Sequence, residues 1–160
     1  MTDVVSHIIL RALAQDTYVI RSNLGSRRFH HQDREAYFDS NIRKQLIDHI
    51  LENCLKKAIH VDSIGGWSEH LHILIALGRD QDIAKVMMLI KGESSHWLNA
   101  QGFFRGKFFW QDDYFAVSVS ESKVDDVRKY IAKQETHHQA VPFDRELASL
   151  QRVVRGDLSG

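Results

Sequence analysis

Glu69-His70-Leu71-His72-Ile73-Leu74-Ile75-Ala76-Leu77 decides the fold of this chain. The run is rich in apolar residues and stops at the turn signal Gly78-Arg79-Asp80, which predicts a strand. Side chains alternate across a strand, so His70 and His72 share one face and Leu71, Ile73 and Ile75 share the other. Two imidazoles at that spacing can converge on one metal ion. The same spacing also fits two ordinary polar residues. What decides between these readings is what the rest of the chain brings to that face.

Upstream, His60-Val61-Asp62-Ser63-Ile64 reads as a strand, and Gly65-Gly66 as the hairpin turn between it and the histidine strand. A helix is expected from about Phe38 to Ala58. Ile42, Leu46, Ile50 and Cys54 recur there every four residues, with Ile47, Leu51 and Leu55 beside them. Residues 5–11 predict a first strand, and Tyr18-Val19-Ile20 a short extended piece. Arg21 to Asp33, with Arg21, Gly25, Arg27 and Arg28, reads as a basic loop, either solvated or in contact with phosphate.

Downstream, Asp80 is expected to cap a helix that turns Ile83, Val86, Met87 and Ile90 inward and ends at Gly92. Ser94 to Ala100 suggests one or two further turns. A Gly-, Phe- and basic-rich loop follows over 102–107, and Tyr114 to Val119 is the last expected strand. A further helix is predicted over about 122–138. Ser122 is its expected cap, Asp125 lies near its positive N-terminus, and Pro142 stands just past its end. A short closing helix is expected within the tail of about 143–160, and residues 156–160 are expected to fray.

The order strand, helix, strand, strand, helix, strand predicts an α+β fold. Its plan is the split βαββαβ of ferredoxin-like and RRM-like domains: an antiparallel sheet with helices on one face, plus a C-terminal helix. The 160 residues suit a single domain spanning 1–160, large enough for a real core. No apolar run approaches the roughly 20 residues of a membrane span, and the start lacks a basic signal-peptide region, so a cytoplasmic protein without a membrane partner is expected. The single cysteine, Cys54, excludes an internal disulfide and a cysteine-based zinc cluster. Lys and Arg total 21 and Asp and Glu 21, a balance that speaks against a broad nonspecific nucleic-acid surface and leaves room for a local basic groove.

On the 122–138 helix, Val124, Val127 and Ile131 form the packing stripe. Tyr130 and Gln134 stand four residues apart beside it. Laid over the histidine strand, this helix brings a phenol and an amide oxygen to the two imidazoles. Such a donor set suits a divalent ion with open positions, Mg, Mn or Zn. The phenol could then act as a covalent nucleophile. By pattern alone, Tyr130 also fits a half-buried aromatic and Gln134 a surface amide. His137 and His138 follow at the helix end.

These pieces together resemble the HUH-type single-strand DNA transposases of the smallest bacterial insertion sequences, the IS200-like family. The His–hydrophobic–His motif reads His70-Leu71-His72. The Tyr-x-x-x-Gln motif reads Tyr130-Ile131-Ala132-Lys133-Gln134. Between them, Lys91-Gly92-Glu93-Ser94-Ser95 is similar to the family's Lys-Gly-x-Ser-Ser segment, and Trp110-Gln111 and Tyr114 to Ser120 to its Trp-Gln and Tyr-x-Ala-x-Ser-Val-Ser block. Phe143 and Glu146 match its closing Phe-x-x-Glu. Glu69 stands where the family commonly has Asp, and Asp113 where it usually has Gly.

The resemblance implies a DNA transposase and single-strand endonuclease. In that reading Tyr130 is the nucleophile that forms a 5′-phosphotyrosine, and His70, His72 and Gln134 hold Mg or Mn, with no nucleotide cofactor. Single-stranded DNA with hairpins at element ends is the implied partner. A homodimer is also implied, in which the tyrosine helix can serve the partner's histidine pair. Arg21, Arg27, Arg28, Lys91, Arg105 and Lys107 are candidate DNA contacts through phosphate charge. The alternative is a non-catalytic single-stranded nucleic-acid-binding module on the same fold, with Phe103, Phe104, Phe108, Phe109 and Trp110 available for base stacking. A phosphoesterase with paired His-x-Thr/Ser motifs ranks below both, because only one His-x-His strand is present.

Overall fold

A computed structural model of the chain describes residues 17–24, 38–134 and 143–156. In chain order they form β1 (Thr17–Leu24), α1 (Ser40–Lys56), β2 (His60–Trp67), β3 (His70–Ala76), α2 (Ile83–Gln101) and β4 (Trp110–Val119). A 3-10 turn (Glu121–Lys123), α3 (Val124–Lys133) and α4 (Phe143–Arg155) follow. The sheet order is β2-β3-β1-β4, and every neighbouring pair is antiparallel. The expected alternation of strands and helices is therefore present, with the histidine strand inside the sheet.

All seven residues of β3 are buried, because both of its faces are covered. Leu71, Ile73 and Ile75 join Leu46, Ile50, Met87 and Leu98 in the main core beneath α1 and α2. Leu74 faces the other way, into a second cluster with Val119, Val127, Ile131 and Leu150, so α3 and α4 cover the histidine face. Each large apolar side chain buried in this way contributes about 1.5–3 kcal/mol. Cys54 lies in the main core, as its place on the helical stripe requires.

Several expected boundaries move, each for a local reason. The expected strand over 5–11 lies outside the described residues, and the strand found at the sheet centre is β1. It continues through Arg21, Ser22 and Asn23, which the sequence suggested as the start of a loop. Those three residues are laddered to β3 on one side, and Arg21 and Ser22 also to β4 on the other, and this pairing outweighs their polar character. Gly65 and Gly66 are not a turn; they lie within β2, paired with His72 and Leu71, and the two-residue turn is Ser68-Glu69. A Cβ on Gly66 would collide with the carbonyl oxygen of His70, which is why a glycine is needed inside this strand.

The expected break at Gly92 is absent. α2 runs unbroken to Gln101 and ends on Gly102, whose φ of 68° is the left-handed cap glycine accepts at little cost. Its N-cap is Asp82, two residues after Asp80, and the Asp82 carboxylate accepts from the Lys85 backbone N–H at 2.8 Å. Ser122 does not cap α3. It sits within the 3-10 turn, with its hydroxyl 3.3 Å from that of Ser120. The closing helix is α4, as expected. Among the described residues no helix is long and apolar enough to cross a membrane.

Candidate active site

His70 and His72 leave β3 on the same face, with ring centroids 5.0 Å apart and the rings edge to face. His70 is 5% exposed and His72 fully buried, so neither is a surface imidazole. The fixed alternation of the strand sets both positions, and the flanking strands hold it. His72 is paired with Gly65 of β2 on one side and Arg21 of β1 on the other.

α3 supplies the third group. Val127 and Ile131 anchor this helix on the second core, and Tyr130, between them on the helix, meets His72 edge-on at 5.6 Å between centroids. Tyr130 is half-buried. Gln134 is the residue that closes α3, one turn beyond Tyr130, also half-buried. Three of the four expected groups therefore stand together in one chain, and the fourth follows on the same helix.

Two features hold α3 in place. Arg128 donates from Nε to Asp62 Oδ1 at 2.7 Å and from Nη2 to Asp62 Oδ2 at 2.5 Å, and its Nη1 donates to Asp125 Oδ1 at 2.7 Å. The two carboxylates raise the guanidinium pKa further above its ordinary value. The other feature is Gly65, where a Cβ would lie 3.0 Å from both Cγ2 and the backbone oxygen of Ile131. Asp62, Gly65 and Arg128 are functional candidates that the sequence reading passed over. By local pattern the glycine pair reads as a turn, and the one sign of Arg128 in the sequence is its spacing of three from Asp125.

Among the described residues no group of three or more His, Cys, Asp or Glu could hold a metal ion. A closed carboxylate or thiolate cage is therefore absent from them. The two imidazoles on one face of β3 and the Gln134 amide at the end of the neighbouring helix are donors of another kind, of a chemistry that would suit a divalent ion with positions left for an outside ligand.

The basic candidates scatter. Arg21 lies at the sheet centre, and Arg27 and Arg28 lie outside the described residues. The Lys91 ammonium donates to the backbone oxygens of Gln111 and, at 2.8 Å, Asp112, so it fastens α2 to the start of β4; partial burial lowers its pKa. Arg105 and Lys107 are exposed between α2 and β4, with Lys107 Nζ 5.2 Å from the Phe109 ring centre. Of the five candidate stacking aromatics, Phe108 and Trp110 are core, Phe103 and Phe104 are partly buried, and Phe109 is 44% exposed. His137 and His138 lie outside the described residues.

The comparisons bear on the family and the fold. The family model described as "Transposase IS200 like" matches residues 29–134, a span that contains the histidine pair, Tyr130 and Gln134. No curated protein matches the chain. Among solved structures, a REP-associated tyrosine transposase bound to a REP hairpin superimposes with a TM-score of 0.58 at 18% identity, covering 91% of this chain and 86% of the other. A Deinococcus radiodurans R1 protein assigned as a transposase gives 0.54 at 16% identity, covering 74% and 89%. At those identities the superpositions speak for the fold, and the family model covers well over half of the sequence: the chain belongs to the IS200-like transposase family.

Proposed function

We propose that this protein cleaves and rejoins single-stranded DNA with Tyr130 as its nucleophile. The observation that carries the reading is the meeting of Tyr130 with His72, a phenol from α3 against a buried imidazole of β3. A tyrosine placed only to fill space has no need of a buried histidine pair one of whose rings meets it.

The Tyr130 oxygen forms a bond to a DNA phosphorus, and the bond from that phosphorus to the 3′ oxygen breaks. The phenol gives up its proton and the departing oxygen takes one, which leaves a 5′-phosphotyrosine and a free 3′ hydroxyl. A different 3′ hydroxyl attacking the phosphotyrosine reverses the step and joins new strands, so no nucleotide cofactor is consumed. His70, His72 and Gln134 would hold a divalent ion, Mg or Mn. When bound, the ion supplies polarisation of the phosphoryl oxygen, which matters because a phenol with an ordinary pKa of about 10 is a weak nucleophile at neutral pH.

The substrate is single-stranded DNA carrying hairpins. A relative of the same fold is described as bound to a REP hairpin, and this supports the substrate class. Arg105 and Lys107, with Arg21, Arg27 and Arg28, are the proposed phosphate contacts. Lys91 serves the fold first, through the carbonyls it already holds. A cytoplasmic homodimer is the proposed working form. The stacking-module alternative has less support, since only Phe109 of its five aromatics is substantially exposed.

The test mixes the protein with end-labelled hairpin oligonucleotides and Mg or Mn. A denaturation-resistant adduct in the wild type that is lost in Tyr130→Phe supports the reading. Hairpin binding without any adduct assigns the chain to the non-catalytic alternative.

A further inference from the structure

We propose that Asp62 and Arg128 are positioning residues: a latch between β2 and α3 that sets Tyr130 against His72. The inference rests on the reading of Tyr130 as nucleophile. Three observations converge on it. Arg128 stands two residues before Tyr130 and grips Asp62 through two parallel hydrogen bonds, a fork that fixes direction as well as distance. Asp62 is the extra residue of a β-bulge: Val61 pairs with Ile75 and Ser63 with Leu74, leaving Asp62 without a register partner. Gly65, three residues on, lets the backbone of α3 come down onto β2 at the pair opposite His72.

The bulge explains how one strand serves both layers. Val61 and Ile64 join the main core under α1 and α2, whereas Ser63 and Gly65 pair with Leu74 and His72, whose side chains lie on the face covered by α3. Regular alternation would put Val61 and Ser63 on the same face. The extra residue shifts the phase between them and aims the Asp62 carboxylate at α3, where Arg128 takes it. Gly65 sets how deep the helix sits, and the fork sets its rotation.

Magnitudes separate a latch from an ordinary surface ion pair. The Arg128 side chain is 48% exposed and that of Asp62 17%, so the pair contributes little to global stability. A reacting group displaced by about 1 Å, however, can lose about 100-fold in rate. A latch therefore predicts a large loss of rate with little loss of fold.

The experiment compares wild type, Asp62→Asn, Arg128→Lys and the double variant. Three readouts are taken: single-turnover adduct formation at saturating hairpin DNA, hairpin affinity, and thermal midpoint. The expected result is a rate lowered about 10- to 100-fold in each single variant, with affinity and midpoint close to wild type. Arg128→Lys keeps the charge but loses the fork, so it should fail like Asp62→Asn. The double variant should fall no further than either single one. Unchanged rates, or losses that multiply in the double variant, overturn the latch. Amide exchange supplies a readout free of chemistry: exchange in 124–133 should quicken in Asp62→Asn while α1 stays protected. Quickened exchange with no adduct even in wild type would sink the nucleophile reading and leave the latch standing; unchanged exchange would sink the latch.

Discussion

Gly65 and Ile131 lie so close that a side chain between them would be crowded: a Cβ on Gly65 would stand 3.0 Å from the Ile131 backbone oxygen. Ile131 follows Tyr130 directly, so any shift forced at this contact reaches Tyr130. Gly65→Ala should lower stability by about 1–3 kcal/mol through overpacking and reduce adduct formation further than that loss alone accounts for. Gly92→Ala is the matched control. A Cβ there meets nothing within 4 Å, and alanine in a helix interior should gain about 0.5–1 kcal/mol. Urea midpoints and adduct yields for the two variants check both statements.

Tyr130 and His72 meet within one chain, which supports a site that each protomer completes by itself. Mixing Tyr130→Phe with His72→Ala should yield no adduct, since neither chain then holds both groups. Adduct formed by the mixture, with each variant inactive alone, would mean that the tyrosine helix works on a partner's histidines.

Chelation separates binding from chemistry. Phosphate contacts from basic side chains do not need the ion, so EDTA should abolish adduct formation and leave hairpin retention in a gel largely intact. Gln134→Ala should raise the Mg or Mn concentration needed for half-maximal adduct by about 10-fold or more, as expected for loss of an oxygen ligand or its support. A metal titration of wild type and variant measures it.

Cys54 is 3% exposed, and burial pushes its thiol pKa up from 9.0 to about 11. The protonated form is the one the fold favours. Its contribution to stability is complete below pH 9.0 and disappears as pH rises through about 11. Alkylation at pH 8 should therefore be slow in the native protein and rapid in denaturant. Fast native labelling would contradict the packing of α1.

The histidine strand and its two faces were legible because a period of two leaves little choice once one face is apolar. Tyr130 and Gln134 were legible for a related reason: a four-residue spacing on a helix puts both groups on one side. The meeting of Tyr130 with His72 was not written in either segment, since it depends on the bulge at Asp62 and the notch at Gly65, which local pattern presents as strand noise and a turn. The extent of β1 was not legible because Arg21-Ser22-Asn23 is polar, and only pairing of all three with β3, and of Arg21 and Ser22 with β4, makes them strand. Lys91 and Ser94 looked like functional motif residues, yet both tie α2 to β4. Lys91 does so through the Gln111 and Asp112 carbonyls. Ser94 accepts from Trp110 Nε1 at 2.8 Å and donates to the Ile90 carbonyl at 2.6 Å.

Tyr130 is the residue proposed to carry the DNA. The most direct measurement traps the adduct on a hairpin oligonucleotide, digests protein and DNA, and locates the nucleotide-bearing residue by mass spectrometry. The account predicts a 5′-phosphonucleotide on Tyr130, in a peptide spanning α3, and on no other residue. A nucleotide on another side chain, or a 3′ linkage on Tyr130, would contradict it.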